Sequence, residues 1–118
     1  HERLYDDLED LHKWLDQAFH DGRRVGFAFS EIYKGEFKLD KLYIHPDVQR
    51  RGVGGQLIAH VAERAKKAGY PCVILQVNKR NVNAIASYQK YGFVVREATV
   101  DDIGHGFVMD DYVMEKKL

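Results

Sequence analysis

A glycine-rich turn between two regular elements is the feature of this sequence best suited to chemistry. The turn Arg51-Gly52-Val53-Gly54-Gly55 follows an alternating strand pattern and precedes a helical one. Such a turn presents unpaired backbone N–H groups and the positive end of a helix dipole to a phosphate. Glycine allows the dihedral angles and the close approach that a Cβ would prevent, and Arg50 and Arg51 add fixed positive charge. The turn therefore predicts a phosphate-bearing ligand.

Two better-known phosphate motifs do not match this turn. The Walker sequence requires Gly-Lys-Ser/Thr where this chain has Gly54-Gly55-Gln56. The dinucleotide fingerprint requires a third glycine where this chain has Leu57. A tight turn whose glycines serve packing alone is the alternative interpretation, and the turn by itself leaves it open.

Covalent and metal chemistry find little support in the sequence. Cys72 lies in an apolar strand pattern, which is typical of an inert core thiol. Ser30 and Ser87 have no G-x-S-x-G elbow around them. The six histidines lack the spacing of metal ligands, so we predict no metal.

The elements that position the turn follow from periodicity and breakers. Phe37, Leu39 and Tyr43 alternate along a strand that Pro46 ends. Strand and helix then alternate, and two strands close the chain, which predicts a mixed α/β (α+β) fold with a central sheet flanked by helices. The later predicted elements are a helix ending at Gly69, a strand from Tyr70 to Val77, a helix from Asn81 to Gly92, and strands Phe93 to Thr99 and Phe107 to Glu115 joined by a loop over 101–106.

The first twenty residues allow two interpretations. Leu4, Leu8, Leu11 and Leu15 recur at helical spacing, which predicts an amphipathic helix from about residue 3. Periodicity would extend this helix through Ala18 and Phe19. The stretch before His20-Asp21-Gly22 is alternatively a short strand, because Asp-Gly followed by an apolar run is typical of a hairpin.

Size and charge narrow the class of protein. The 118 residues predict one domain, 1–118, and no apolar run approaches the length of a membrane span. One cysteine excludes an internal disulfide framework and favours the cytoplasm. Net charge is zero, but residues 41–99 carry a charge of +7 between acidic flanks, which indicates one face for an anion and another for a cation. Nucleic acid is not expected, because an aromatic and basic ladder is lacking.

Two segments resemble motifs of the GNAT superfamily of N-acetyltransferases. Gln49-Arg50-Arg51-Gly52-Val53-Gly54 resembles that family's Q/R-x-x-G-x-G/A pyrophosphate loop and follows Leu42-Tyr43-Ile44-His45-Pro46, which is similar to its fourth strand. The segment from Asn81 to Phe93 is similar to the family's N-x-x-A-x-x-x-Y-x-x-x-G-F motif. Both motifs occur here in the family's order and spacing, and the likeness covers roughly Val25 to Phe93.

The resemblance implies an acetyl-CoA-dependent acyltransferase and a role for each matching position. Main-chain groups of Leu42, Tyr43 and Ile44 would pair with the pantetheine arm like an added strand. Tyr88 would protonate the departing thiolate, and the backbone N–H of Ile44 would stabilise the oxyanion. The implied cofactor-binding residues are Leu42, Tyr43, Ile44, Gln49, Arg50, Arg51, Gly52, Val53, Gly54, Gly55, Asn81 and Tyr88, with the amides of Arg51 to Gly55 on the pyrophosphate.

The general base stays open at the level of sequence. Relatives that acetylate protein N-termini often carry an acidic residue at the position of Gln76, which cannot take a proton. Asp40, His45, Asp110 and Asp111 remain as candidates, acting directly or through a water. The acidic group Asp101, Asp102, Asp110 and Asp111 would attract a cationic amine, with a solvated loop as the alternative.

The acceptor is the least readable feature. The family places a first strand and one or two helices before this region, and the chain begins with His1, so we expect N-terminal elements to be missing. We predict a small-molecule amine as the acceptor. The alternatives are a protein α-amino group or lysine, and an inactive module that only binds CoA. A homodimer is also left open.

Overall fold

Seven strands form one mixed sheet in the computed structural model, which describes Glu2–Leu4 and residues 12–118. The strands are β1 (Glu2–Leu4), β2 (Lys13–His20), β3 (Arg23–Tyr33), β4 (Glu36–Ile44), β5 (Cys72–Asn78), β6 (Val94–Gly104) and β7 (Phe107–Lys117), and the helices are α1 (Val53–Lys67) and α2 (Val82–Lys90). The strand order is β1-β2-β3-β4-β5-β7-β6, and among these strands only the contact between β4 and β5 is parallel. The predicted mixed sheet with flanking helices is confirmed.

Helix α1 covers one face of the sheet, called here the helix face. Its apolar stripe of Leu57, Ile58, Val61 and Ala65 is buried against β2 to β5. Gly69, with a φ of +88°, follows the end of the helix as expected. The opposite face of the sheet is called the open face, and it carries the alternate residues of each strand.

The predicted N-terminal helix is wrong where the structure describes it. Lys13–His20 is a strand that pairs with β3, so the hairpin interpretation around Asp21-Gly22 is confirmed. Asp16 is fully buried on the helix face, where Arg64 of α1 binds it. A charged residue in the buried stripe hid the alternation of a strand, and its partner lies 48 residues away. Leu8 and Leu11 lie outside the described residues.

The predicted loop over 101–106 is shorter in the structure. β6 continues to Gly104 and β7 begins at Phe107, so a two-residue turn, His105-Gly106, joins them. Both turn residues have positive φ, 56° and 78°, as a type I′ hairpin turn requires. The aspartates and glycines of this segment indicated a loop by composition, whereas cross-strand pairing extends the hairpin through them.

Among the described residues, neither helix combines the length and apolar character that crossing a bilayer would need.

Candidate functional site

The seam between β4 and β5 opens after two residue pairs. Phe37 pairs with Val73 and Lys38 with Ile74, and no further pair joins the two strands. Beyond that point β4 follows β3 as far as Ile44, and β5 follows β7 as far as Asn78. The sheet therefore splits towards the carboxyl ends of both strands.

The backbone of β4 presents donors and acceptors to this split. The His45 N–H donates to the Val25 carbonyl at 2.7 Å. Because bonding alternates along an antiparallel pair, the amides of Leu42 and Ile44 point away from β3 and into the split. By the same alternation the backbone of Tyr43 faces β3, and its ring stacks on Phe27 at 5.7 Å on the open face. The strand edge can therefore hydrogen-bond an extended ligand through Leu42 and Ile44.

The glycine-rich turn begins one side of the split. A short 3₁₀ helix, Pro46–Val48, leads to Arg50 and Gly52, which have φ angles of 68° and 82°. Gly52 caps α1 without any side-chain hydrogen bond, so the first amides of the helix, from Val53 to Gly55, have no intrahelical acceptor. The amide of Arg51 donates instead to the Val48 carbonyl at 3.2 Å. The amides open to an anion are thus those after Arg51.

Gln49 closes the first bend of the turn. Its side-chain amide donates to the Ile44 carbonyl at 3.4 Å. This contact links the end of β4 to the turn.

Gly54 serves packing as well as access. A Cβ at this position would lie 2.9 Å from the Tyr91 Cζ and closer still to the Tyr91 hydroxyl. The start of α1 therefore touches the residue that ends α2. The packing interpretation of the glycines holds for Gly54, whereas a Cβ on Gly52 would meet nothing within 4 Å.

Helix α2 places Asn81 and Tyr88 on the helix face. The Asn81 side-chain oxygen accepts from the Ala84 N–H at 3.3 Å, so it caps the helix, and the NH₂ group of the same side chain can donate to a ligand. Tyr88 packs edge-on against Phe93 at 5.8 Å and borders the same core as Leu42 and Ile44. Its hydroxyl has no hydrogen bond within residues 12–118. Burial, with a smaller effect of Tyr91, raises the pKa of Tyr88, so the phenol is neutral at neutral pH.

Gln76 and Asp111 meet on the open face. Asp111 is buried, and its oxygens accept from the Gln76 amide at 2.9 Å and the Asn78 amide at 3.4 Å. Asp110 points elsewhere and forms an ion pair with Lys79. The four acidic residues grouped by sequence therefore separate, because Asp101 and Asp102 are exposed on the β6–β7 hairpin.

Asp40 lies at the mouth of the split. The β3–β4 register shifts between Phe29 and Ser30, which pair with Lys41 and Leu39, so Asp40 is the extra residue of a β-bulge. Its Oδ1 lies 3.7 Å from the Lys38 Nζ, and its Oδ2 is buried without a hydrogen-bond donor. Burial and the Glu31 carboxylate raise the pKa of Asp40 from 3.8 to about 6, against the opposing effect of Lys38.

His45, the remaining sequence candidate for the base, is part of the turn. Its Nδ1 accepts from the Asp47 N–H at 3.1 Å and caps the 3₁₀ helix. That nitrogen is thus occupied by a structural contact.

Glu31, Asn78 and Tyr91 are site residues that sequence reasoning missed. Glu31 reaches Asp40 through the pairing of β3 with β4, and Asn78 reaches Asp111 through the pairing of β5 with β7. Only Tyr91 had a local signal, since it lies on the apolar stripe of α2 one turn after Tyr88.

Two cavities border these elements. One of about 300 Å³ lies beside the glycine-rich turn, where Arg51, Val53 and Gln56 face the β2–β3 hairpin. The other, of about 190 Å³, lies on the open face around Lys38, Ile74 and Gln76, next to the last paired residues of the seam. Among the described residues, no three His, Cys, Asp or Glu side chains are grouped to bind a metal ion.

The closed end of the seam carries a network of charges instead. Arg96 of β6 binds Glu36 of β4 at 2.7 Å and Glu115 of β7 at 3.0 Å, and it lies 3.3 Å from the Cys72 sulfur. Burial raises the pKa of the Cys72 thiol. Cys72 is therefore half-buried beside a charged cluster away from the split, whereas its apolar strand pattern indicated a core thiol. Its raised pKa disfavours the reactive thiolate.

Comparison with known sequences gives a consistent family. Residues 1–93 match the family described as "Acetyltransferase (GNAT) family". The ribosomal protein bS18-alanine N-acetyltransferase of Escherichia coli K12 is 33% identical over 84 residues, which cover 71% of this chain and 55% of that protein. A peptidyl-lysine N-acetyltransferase of Salmonella typhimurium is 37% identical over 81 residues, covering 68% of this chain and 50% of that protein. The chain thus spans about half the length of these relatives.

Solved structures share the fold. The PaiA N-acetyltransferase of Thermoplasma acidophilum in complex with coenzyme A superposes with a TM-score of 0.74 at 28% identity, covering 92% of this chain and 62% of that one. A GNAT family acetyltransferase of Elizabethkingia anophelis with acetyl-CoA bound gives a TM-score of 0.76 at 19% identity, covering 91% and 77%.

Proposed function

Because this chain belongs to the GNAT acetyltransferase family, we propose that it transfers the acetyl group of acetyl-CoA to a primary amine by direct attack. The observation that carries the proposal is the split between β4 and β5, bordered by the uncapped start of α1. This arrangement offers a strand edge to an extended amide-bearing arm and unpaired amides to a diphosphate.

The cofactor residues act through backbone and charge. Leu42 and Ile44 would hydrogen-bond the pantetheine arm along the strand edge, with Tyr43 holding that edge to β3. The amides of Gly52, Val53, Gly54 and Gly55 would bind the pyrophosphate, with Arg50 and Arg51 adding positive charge. Gln49 would hold the turn in place, and the free NH₂ of Asn81 would contact the arm.

Tyr88 and Ile44 would carry the acyl-transfer step. The nitrogen lone pair attacks the thioester carbonyl carbon, and the Ile44 N–H stabilises the oxygen as it becomes negative. The C–S bond then breaks and the sulfur takes a proton from the Tyr88 hydroxyl. A neutral phenol without another hydrogen bond suits that task.

Cofactor binding is tested by thermal-shift titration with acetyl-CoA. Specific binding to the folded state must raise the melting temperature. Arg50→Glu should reduce this shift strongly, because it places a carboxylate beside the phosphate site. The matched control is Lys66→Glu, which reverses an exposed charge at the other end of the same 15-residue helix, about 20 Å away. Equal shifts for both variants would contradict the assignment of the turn.

Catalysis is tested with Tyr88→Phe. The variant should release CoA in the presence of amine about 100-fold more slowly or worse, with acetyl-CoA affinity nearly unchanged. Tyr70→Phe is the matched control, because it removes a hydroxyl from another half-buried tyrosine that borders the same core but lies outside the proposed site. An unchanged rate for Tyr88→Phe would exclude Tyr88 as the acid.

We propose a small-molecule amine as the acceptor. The cavity of about 190 Å³ on the open face, next to the seam, supports this choice, since it is a small enclosure whose lining offers polar partners such as Gln76 and Glu97 to a compact amine. Gln76, in place of the acid expected of N-terminal acetyltransferases, supports it too.

A polypeptide acceptor is the second candidate, and the β6–β7 hairpin favours it. The hairpin exposes Phe107 and Val108 beside Asp101 and Asp102, a surface suited to an apolar, cationic segment. Two similar proteins are named for acetylating a ribosomal protein alanine and peptidyl-lysine.

A panel of amines distinguishes the small-molecule acceptor from the polypeptide acceptor. CoA release is measured with a diamine, an aminoglycoside, an Ala-initiated peptide and a lysine peptide. Faster release with the first two supports the small-molecule acceptor, and faster release with the peptides supports the polypeptide. Binding of acetyl-CoA without release on any amine would instead indicate a module that only binds CoA.

A further inference from the structure

We propose that Asp40, at the bulge where β5 leaves β4, accepts the proton of the acceptor ammonium, with Glu31 tuning it. The inference rests on the proposed acetyl transfer. It concerns the one component of that reaction for which sequence offered four candidates and no choice.

The position of Asp40 suits this role. Asp40 lies two residues past the last β4–β5 pair, as Gln76 does on β5. Lys38 pairs across the strands with Glu31, which places Glu31, Lys38 and Asp40 on the open face, opposite α1 and Tyr88. An acceptor that approaches from the open face therefore meets Asp40 at the mouth of the split, while the cofactor is held on the helix side.

The bonding state of Asp40 separates it from the other three candidates. Both oxygens of Asp111 accept hydrogen bonds from amides, Asp110 is paired with Lys79, and the Nδ1 of His45 caps the 3₁₀ helix. Asp40 and Asp110 each have a buried side-chain oxygen without a hydrogen-bond partner, but that oxygen of Asp110 forms the ion pair with Lys79. The Lys38 ammonium lies near the other oxygen of Asp40, so the Oδ2 of Asp40 has neither a donor nor a cation. An acceptor N–H would supply that missing donor, so the amine satisfies an oxygen that the fold leaves unsatisfied.

The surroundings of Asp40 favour a base that works near neutral pH. The charged groups that act on it are Glu31 on β3 and Lys38 on β4, while Gln76 on β5 brings no charge. The Lys38 ammonium is drawn partly aside, because it also lies over the Tyr33 ring at 4.5 Å. Burial and Glu31 therefore dominate and raise the pKa of Asp40 to about 6. A carboxyl group with such a pKa is ionised at pH 7 and still basic enough to take a proton.

The proton balance closes with the groups already named. One ammonium proton passes to the Asp40 carboxylate, and the neutral amine then forms the N–C bond. When the C–S bond breaks, sulfur receives the Tyr88 proton, and the second proton lost by nitrogen restores Tyr88 through solvent. Asp40 returns its proton to solvent before the next turnover, so the reaction releases one proton overall.

The test is the pH profile of CoA release by the full chain, measured with whichever amine of the panel is turned over fastest. The wild-type rate should rise with pH through an apparent pKa near 6, separate from the higher pKa of the amine itself. In the Asp40→Asn variant this rise of the rate with pH should disappear. Its rate at pH 7 should be about 100-fold lower than that of wild type, or lower still, with acetyl-CoA affinity unchanged. Asp40→Glu should recover part of the rate.

The Glu31→Gln variant tests the proposal through the pH at which the rate rises, which a purely structural role of Asp40 would leave unchanged. Removing the charge of Glu31 should shift the rise of the rate to lower pH, because Glu31 raises the pKa of Asp40. This variant also carries the test if Asp40→Asn fails to fold. Glu63→Gln, which removes an exposed carboxylate from α1 outside the proposed site, is the control and should leave the profile unchanged.

Three results would overturn the proposal. Asp40 would be excluded as the proton acceptor if the rate of Asp40→Asn still rose with pH through about 6, or if it stayed within a few fold of the wild-type rate. A Glu31→Gln profile identical to wild type would exclude the coupling of the two carboxyl groups. If wild type releases no CoA with any amine, the proposed acetyl transfer fails first, and the role of Asp40 fails with it.

Discussion

Two carboxylates on opposite faces of the sheet, one fully buried and one half-buried, have opposite surroundings. Asp16, on the helix face, is fully buried and bound by both terminal nitrogens of Arg64, one at 2.8 Å, while Arg64 also lies over the Trp14 ring at 5.6 Å. Asp40, on the open face, has one oxygen near Lys38 and one without a donor.

The difference indicates which region is built for stability and which for chemistry. A buried charge with a bidentate guanidinium is fully compensated, and losing the partner is costly. A buried oxygen without a donor is a cost to the fold that a ligand can remove. The same contrast holds for the backbone, because β4 is paired along β3 but leaves its other edge open beyond Lys38.

The largest effect is expected from Asp16→Asn. It leaves the Arg64 guanidinium buried without its counter-charge, so the free energy of unfolding should fall by about 3 to 5 kcal/mol. Denaturation with urea measures this loss, and Glu63→Gln, an exposed partner of Lys67 on the same helix, should change it by less than about 0.5 kcal/mol. A loss below about 1 kcal/mol for Asp16→Asn would remove the contrast between the two faces.

An intermediate effect is expected where the two regions meet, at Gly54. Gly54→Ala drives a Cβ into Tyr91 and should cost about 1 to 3 kcal/mol of stability. Gly55→Ala is the matched control, since its Cβ would lie 3.7 Å from the Tyr91 ring and alanine favours helix. The double variant with Tyr91→Phe should regain part of the loss, because the nearest atom is gone. Equal stability of the two alanine variants would show that Gly54 does not serve packing.

The smallest effect is a pH dependence of stability. A carboxyl group whose folded pKa lies above its unfolded value binds its proton more tightly in the folded state. The contribution of Asp40 to the free energy of unfolding is therefore full below pH 3.8 and is lost as the pH rises through about 6. Asp40→Asn cannot ionise, so its unfolding free energy relative to wild type should increase by on the order of 1 kcal/mol between pH 4 and pH 7. A variant that becomes relatively less stable over this range would indicate a structural ion pair with Lys38.

Most of the helices and strands around the split could be predicted from the sequence. Val53–Lys67, Cys72–Asn78 and Val82–Lys90 form close to where periodicity, Gly69 and Asn81 indicated, because local patterns and caps act over a few residues. Strand β2 was ambiguous for the opposite reason. Its buried Asp16 is acceptable only because Arg64 binds it, and that contact depends on α1 packing against the sheet.

The site divides in the same way. The glycine turn, the Asn81 cap and the position of Tyr88 are properties of short segments, which local sequence specifies through backbone freedom, capping and helical spacing. The sequence could not choose among the four candidates for the base, since the choice depends on what surrounds each of them in space.

Local physics was therefore sufficient for the order of the elements and for the motifs that they carry. Folding in three dimensions was needed to open the seam after Lys38, to pack Gly54 against Tyr91, and to leave an oxygen of Asp40 without a donor. The reason is that pairing, burial and charge compensation join residues far apart in the chain, so they have no signature in any short stretch of it.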